Sequence, residues 1–218
     1  ASLVRDTPRE GPLLAQSLEQ DPSFVPARLR RAELAETLNP REAMADLEPV
    51  LAADENDADV AALKLDRVTL TRQAAFAALK SGQTDAARRL LAKYAAQRPD
   101  DLDAQLELVK LHRRAGALEP LVDLLAELWP RLEGNGRTSA RREYAEGALT
   151  LGRTQAAMDA LRSILTDVPD DDWAAGRLLS LIPADDTTAR ERLDLLGRLV
   201  LTAKGDARAE LLARRSEL

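Results

Sequence analysis

Three glycines recur at a nearly constant spacing in the middle of the chain. Gly82, Gly116 and Gly152 are 34 and 36 residues apart. Each follows a stretch with helical periodicity and precedes an amphipathic one. Because glycine adopts a positive φ at little cost, each is predicted to end one helix and turn the chain into the next. A fixed period of about 20 to 50 residues predicts a repeat architecture.

Small and large apolar residues follow two of these glycines at equal distances. Ala87 and Ala157 lie five residues after their glycines, and Leu91 and Leu161 follow four residues later. The small residue lets two helices approach closely, and the leucine fills the groove between them. Each unit then closes on a proline followed by acidic residues, at Pro99 and Pro169. We refer to the units around the three glycines as the first, second and third repeats.

This pattern resembles the tetratricopeptide repeat, a helix–turn–helix unit of about 34 residues. The first helix of the third repeat also fits, with Tyr144 and Ala145 at a large-then-small pair. The second repeat departs from the pattern, since Leu121 replaces the small residue and Trp129-Pro130 ends its second helix early. The resemblance implies an all-α fold, a right-handed α-solenoid of antiparallel helix pairs.

The composition agrees with helices and excludes several chemistries. Hydrophobic residues make up 45% of the 218-residue chain and aromatic residues only 3%. Alanine and leucine dominate, and both favour helices over strands. The absence of cysteine excludes disulfides and thiolate sites, and a single histidine excludes a histidine-rich metal site. The net charge of −6 argues against general nucleic-acid binding, which depends on Lys and Arg contacts to phosphates.

No change in composition marks a second domain, so we expect one helical-repeat domain over residues 1–218. We divide it into irregular N-terminal repeats (1–56), the best-matched units (57–170), and C-terminal helices with a capping helix (171–218).

Flanking helices are expected over residues 12–19, 26–38, 41–53, 173–182, 185–202 and 207–218. Residues 58–80 fit either one long helix or two short ones, with Asn56-Asp57 as the N-cap region. The segment RLEGNGRT (131–138) is predicted to be a loop, because its Asn-Gly pair favours a tight turn.

Few residues suggest a catalytic or metal site. His112 is interpreted as a packing residue near a helix end, because no nucleophile or acid motif accompanies it. The acidic runs at residues 100–101, 170–172 and 185–186 lie where helices should begin, so capping is favoured over metal binding. Gly134-Asn135-Gly136 lacks the Gly-Lys-Ser/Thr ending of a phosphate loop. We expect neither catalysis nor a cofactor.

In tetratricopeptide arrays the first helices line a concave groove, and its positions carry over by register from the turn glycines. The resulting partner-binding set is Arg72, Phe76, Lys80, Leu106, Lys110, Arg113, Arg114 and Arg142. Its six cations outnumber two acids at neighbouring groove positions, Asp103 and Glu146. The resemblance thus implies a locally basic groove for an extended or helical segment bearing carboxylates. The alternative is that these cations form ordinary ion pairs on solvated helix faces. The asparagines of the family's chaperone-tail clamp are missing, so that ligand is not predicted.

We therefore expect a non-catalytic protein–protein interaction scaffold that binds an acidic protein or peptide and no nucleic acid. The resemblance implies a bacterial setting such as an envelope, exopolysaccharide-export or secretion assembly. The alternative is a self-assembling repeat protein whose terminal helices stack.

No apolar run approaches the about 18–20 residues of a membrane span. The N-terminus lacks a Met and a signal-peptide core, so we expect a soluble fragment or a processed protein, cytoplasmic or periplasmic. The alternative is the soluble part of a membrane-anchored protein whose anchor has been removed.

Overall fold

The computed structural model describes residues 9–56 and 58–216, and all regular structure within these ranges is helical. The chain forms two compact units, an N-terminal unit that ends at Leu111 and a C-terminal unit that begins at His112. The all-α prediction is confirmed, while the single domain stays a prediction. None of the helices in these ranges has the length and apolar character needed to cross a membrane.

The N-terminal unit is built from helices that pack on their neighbours in sequence. They are α1 (Glu10–Gln20), α2 (Val25–Ala35), α3 (Pro40–Ala52), α4 (Ala58–Ala62), α5 (Arg67–Lys80) and α6 (Thr84–Gln97), and α7 (Leu102–Ala115) crosses into the second unit. α1 packs on α2, α2 on α3, α3 on α5, and α5 on α6. Packing between helices that are near neighbours along the chain is typical of an α-solenoid.

Residues 58–80 form two helices, α4 and α5, rather than one long helix. Lys64 adopts a φ of 49°, a left-handed conformation that interrupts the helical path. The Asp66 side chain then accepts hydrogen bonds from the backbone nitrogens of Val68 and Thr69 and so starts α5. Asp57, half of the predicted N-cap region, lies outside the described residues.

The C-terminal unit continues the same sequential packing. Its elements are α8 (Leu118–Leu128), a 3-10 turn (Trp129–Arg131), α9 (Gly134–Thr150), α10 (Thr154–Asp167), α11 (Asp172–Leu181), α12 (Ala189–Thr202) and α13 (Gly205–Ser216). The core places fully buried alanines of α9 and α10 beside leucine and isoleucine, as the repeat pattern predicts. Ala148, Ala157, Leu161 and Ile164 each have no measurable exposure.

The repeat glycines form the predicted helix-ending turns. Gly82, Gly116 and Gly152 have φ values of 77°, 64° and 72°. The amide of Gly82 donates to the Leu79 carbonyl at 3.1 Å, and the next amide donates to Ala78 at 2.9 Å. These two bonds define the Schellman motif, and both recur at the other two glycines. All three glycines therefore end their helices in the way that the repeat pattern predicts.

The prediction of a loop over residues 131–138 is wrong, because α9 begins inside this segment. The Arg137 side chain donates to the Leu132 carbonyl at 2.5 Å, which ties the helix start to the preceding turn. One turn later, buried Arg141 lies over the Trp129 ring, 4.7 Å from its centre. Tertiary contacts therefore outweigh the local turn preference of the Asn-Gly pair.

The last helix pair starts later than the sequence predicts. α12 begins at Ala189 because the Asp185 side chain accepts hydrogen bonds from the backbone nitrogens of Thr187 and Thr188 and holds this segment as a turn. The final helix extends from Gly205 to Ser216, and the last two predicted positions, 217–218, lie outside the described residues.

Candidate partner-binding faces of the first helices

The eight predicted partner-binding residues lie on three helices. In the N-terminal unit, α5 carries Arg72, Phe76 and Lys80, and α7 carries Leu106 and Lys110; in the C-terminal unit, the end of α7 carries Arg113 and Arg114, and α9 carries Arg142. That these residues form one groove stays a prediction. The contacts within each unit show what each side chain does locally.

Arg72 is held between an aromatic ring and a carboxylate. Its guanidinium carbon lies 4.8 Å from the centre of the Phe76 ring, within cation–π range. Its Nε donates to Asp101 at 3.2 Å. The same carboxylate accepts from the Tyr94 hydroxyl at 2.8 Å and from the Ala104 backbone nitrogen at 3.0 Å. Asp101 therefore caps α7 and also fixes Arg72 on α5.

The pKa values of Asp101 and Tyr94 show which group of this cluster is charged. Burial raises the pKa of Asp101, but hydrogen bonds from Ala104, Tyr94 and Arg72 outweigh it, so the pKa lies below its ordinary value. Burial, together with the hydrogen bond to Asp101, raises the pKa of the Tyr94 phenol. The proton thus stays on Tyr94, and a carboxylate charge faces Arg72.

The third repeat carries a second copy of this arrangement. Arg142 on α9 donates to Asp171 at 2.5 Å. Its guanidinium carbon lies 5.2 Å from the centre of the Trp173 ring. Asp171 also accepts from the Ala174 backbone nitrogen at 3.0 Å and so caps α11. In both copies an arginine of one first helix pairs with the residue that starts the next first helix.

The sequence contains a signal for this pairing that the repeat pattern alone misses. Arg72 and Arg142 each lie ten residues before their repeat glycine, and Asp101 and Asp171 each lie nineteen residues after it. At the same two positions the second repeat has Leu106 and Asn135, which cannot form an ion pair. We call each Arg–Asp pair with its stacked ring an arginine clamp.

Two further predicted cations pair with acids nearby. Lys110 donates to Glu107 at 2.5 Å, one helical turn away. Arg113 makes two hydrogen bonds to Glu143, at 2.8 and 2.6 Å. Four of the six predicted cations therefore have an acidic partner.

The remaining two, Lys80 and Arg114, are exposed and have no ion pair within the described ranges. Among the six predicted cations, Lys80 and Arg114 therefore supply the positive charge that no described acid pairs with. The predicted basic surface thus consists of these two side chains and the two arginine clamps.

The remaining candidates have structural roles. His112 is 9% exposed near the end of α7, and its carbonyl accepts from the Ala117 amide at 3.0 Å in the turn. The acidic runs contribute helix caps at Asp101 and Asp171, as predicted. Among the described residues, no three histidine or acidic side chains are grouped so that they could hold a metal ion.

No protein-family model matches the chain, and no curated protein matches it. Among solved structures, MamA (MSR-1 C2) is 19% identical over 92% of this chain and 98% of its own, with a TM-score of 0.40. A Podosopora anserina protein of nearly identical TPR-like repeats is 20% identical over 91% of each chain, with a TM-score of 0.40. Yeast Tom70 is 12% identical over 99% of this chain and 44% of its own, with a TM-score of 0.38.

Proposed function

We propose that this tetratricopeptide-like repeat chain is a non-catalytic scaffold that binds an acidic partner protein or peptide on the exposed faces of its first helices. The observation that carries the proposal is the repeated arginine clamp. In each copy the arginine side chain is 46% exposed, although its carboxylate partner is mostly buried. An exposed guanidinium that is already held in place is suited to meet a partner's carboxylate.

The clamp prepares an arginine for binding in two ways. Its aromatic ring and carboxylate restrict the side chain, so less conformational entropy is lost when a partner binds. The planar guanidinium has five N–H donors, and the clamp contacts of Arg72 and Arg142 leave others for a second carboxylate. Arginine and tryptophan are also enriched among residues that dominate binding energy.

Lys80 and Arg114 supply the electrostatic preference for an acidic partner. Both are exposed and lack an ion pair in the described part of the chain. Unpaired surface cations raise the rate of encounter with an acidic partner and make binding sensitive to salt. The clamps and these two cations together support the eight-residue partner-binding set. The envelope, exopolysaccharide-export or secretion setting stays a prediction from the resemblance.

The test uses a fluorescein-labelled peptide of repeating leucine-glutamate-serine, and the same peptide with glutamine for glutamate as its uncharged control. We expect the acidic peptide to bind the whole chain, and Lys80→Glu with Arg114→Glu to weaken binding about tenfold, as measured by fluorescence anisotropy. The matched control is Lys93→Glu with Arg89→Glu, which reverses two exposed charges on the second helix α6. Equal weakening by both double variants, or equal affinity for both peptides, would reject the proposal.

A second candidate function is self-assembly through the C-terminal helices. Leu201 is 81% exposed at the end of α12, Leu212 on α13 is 46% exposed, and no described residue of α13 is buried. Large leucines exposed on a terminal helix pair can pack against those of a second copy of the chain. Light scattering should then show a mass that rises with concentration and falls when Leu201→Glu and Leu212→Glu are introduced together. A constant monomer mass would reject this candidate.

A further inference from the structure

An open pocket with a mixed polar and apolar lining lies on the N-terminal unit, and none of its lining residues belongs to the predicted partner-binding set. It encloses about 550 Å³ between the turn that joins α1 to α2 and the segment that joins α3 to α4. Its apolar lining includes Phe24, Val25, Val60 and Leu63. This volume is within the range of about 300 to 1,000 Å³ that is typical of ligand-binding clefts.

Two large apolar side chains of this pocket are left partly in solvent. Phe24, one of only two phenylalanines in the chain, is 44% exposed, and Leu63 is 37% exposed. By contrast, Val25 beside Phe24 is 8% exposed and belongs to the core. An aromatic side chain at the edge of a pocket contributes a large contact area at a small cost in conformational entropy.

The pocket carries two carboxylates. Asp21 and Asp54 are part of its lining, which contains no lysine or arginine among the described residues. The amide and hydroxyl of Ser23 both donate to one oxygen of Asp21, at 2.9 and 2.6 Å, and one oxygen of Asp54 accepts from Asn56. Neither carboxylate has an ion pair within the described ranges. The pocket therefore combines exposed apolar side chains with two carboxylates.

Two arginines of this unit, Arg28 and Arg67, donate hydrogen bonds to acceptors of the chain itself. Arg28 donates to the Pro22 carbonyl at 2.7 Å and to fully buried Asp46 at 3.2 Å. Arg67 donates to the Leu51 and Ala53 carbonyls, at 2.9 and 2.6 Å. These contacts hold both guanidinium groups on the chain's own acceptors, and neither forms an ion pair with Asp21 or Asp54 in the described part of the chain.

A second depression adjoins the first and suggests an elongated occupant. It encloses about 450 Å³ and shares Ser23, Val25 and Ala53 with the first pocket. Pro49 and Val50 of α3 and the Arg28 side chain of α2 also line it. Two depressions with a common wall suit a segment that places successive side chains into them, more than one compact small molecule.

We propose that this pocket binds a basic peptide segment of a partner protein, with an apolar side chain seated against Phe24 and Leu63 and a neighbouring lysine or arginine paired with Asp21 or Asp54. The occupant is opposite in charge to the acidic partner proposed for the first helices. The chain would thus hold two different partner segments, one at each kind of surface, and so join them. This second binding surface does not depend on the first.

The test uses a fluorescein-labelled peptide of repeating leucine-lysine-serine on the whole chain, with the leucine-glutamine-serine peptide as its uncharged control. We expect Phe24→Ala to weaken binding of the lysine peptide about tenfold. Asp54→Asn should weaken it severalfold, and that loss should shrink at high salt. The matched controls are Leu38→Ala, which removes a 90% exposed leucine, and Asp186→Asn, which removes an exposed carboxylate outside the pocket.

Each outcome decides the proposal. Weakening by the two pocket variants but not by the controls, with unchanged thermal unfolding, supports it. Equal affinity for the lysine and glutamine peptides, or equal weakening by pocket and control variants, overturns it. A dimer that light scattering detects and that Phe24→Ala abolishes would assign the pocket to a second copy of the chain instead. Since Phe24→Ala should leave the glutamate peptide's affinity unchanged, failure here is distinguishable from failure of the function proposed above.

Discussion

Arg142 donates to Asp171 at 2.5 Å and thereby joins the first helix of one repeat to the start of the next. The two partners differ in environment, since the Asp171 side chain is 2% exposed and the Arg142 side chain is 46% exposed. The carboxylate also caps α11 through Ala174. One buried side chain therefore serves both helix initiation and repeat-to-repeat packing, while its arginine partner remains available to solvent.

Asp171→Ala should lower the free energy of unfolding by about 2 to 3 kcal/mol, because it removes a helix cap and a hydrogen bond to a charged group. Urea denaturation followed by circular dichroism measures this change. Asp170→Ala is the control, since Asp170 is exposed and adjacent. It should change stability by less than about 0.5 kcal/mol. Similar losses in both variants would contradict the structural role of the clamp.

The equivalent residue Asp101 predicts a pH dependence. Burial opposes its ionisation, but hydrogen bonds from Ala104, Tyr94 and Arg72 lower its pKa in the folded chain. Stability from this group is therefore complete above the unfolded pKa of about 3.9, and it is lost as pH falls through the lower folded value.

The measurement is the urea midpoint of the wild-type chain and Asp101→Asn between about pH 7 and pH 3. The difference between the two proteins should shrink as the pH falls, because the wild type loses a contribution that the variant already lacks. Asp103→Asn removes an exposed carboxylate of the same helix and should keep the wild-type profile. A constant difference across this range would refute the prediction.

Gly147 marks a close approach between α8 and α9. A Cβ atom at this position would lie 2.4 Å from Cγ2 of Val122, which is fully buried. Gly147→Ala should therefore destabilise the chain by about 1 to 3 kcal/mol, although alanine favours helices more than glycine does.

Gly176→Ala provides the opposite control for Gly147→Ala. This glycine lies within α11, and a Cβ there would meet no atom within 4 Å. It should stabilise the chain by about 0.5 to 1 kcal/mol. Adding Val122→Ala to Gly147→Ala should restore less stability than the clash costs, because it leaves a smaller core side chain. Stabilisation by Gly147→Ala alone would show that the two helices do not approach this closely.

The sequence predicts the parts of this fold that depend on local conformation and periodic packing. The turns at Gly82 and Gly152 need a positive φ, and alanines at fixed distances from these glycines pack between helices. The turn glycines and the packing alanines therefore recur at regular positions in the sequence. The helix start within residues 131–138 leaves no such periodic signal, because Arg137 and Arg141 both reach Asp167, about thirty residues away, at 3.8 and 2.6 Å.

The candidate partner-binding residues show the same distinction. Register alone gives the helix positions of Arg72 and Arg142, but the three-dimensional contacts identify which of the acids nearly thirty residues away pair with them. Counting the cations at one set of helix positions overestimates the unpaired positive charge, because the count omits the acids that the next first helix supplies. Trp173 was missed for the same reason, since its role depends on the arginine stacked on it.

Arg141 should be far more important for stability than its acidic partner. Its side chain is 3% exposed, whereas that of Asp167 is 42% exposed. Arg141 donates to Asp167 at 2.6 Å and to the Ser163 carbonyl at 2.8 Å, and it covers the Trp129 ring. Removing it therefore costs packing as well as charge.

Arg141→Ala should lower the free energy of unfolding by about 3 kcal/mol, the scale of a disrupted buried ion-pair network. Asp167→Asn should cost less than about 1 kcal/mol, because the exposed amide keeps an acceptor for the guanidinium and water solvates the rest. Urea denaturation of both variants measures the two costs, and near-ultraviolet circular dichroism of the two tryptophans reports the local packing. If Asp167→Asn cost as much as Arg141→Ala, the ion pair rather than the packing of the arginine would stabilise this junction.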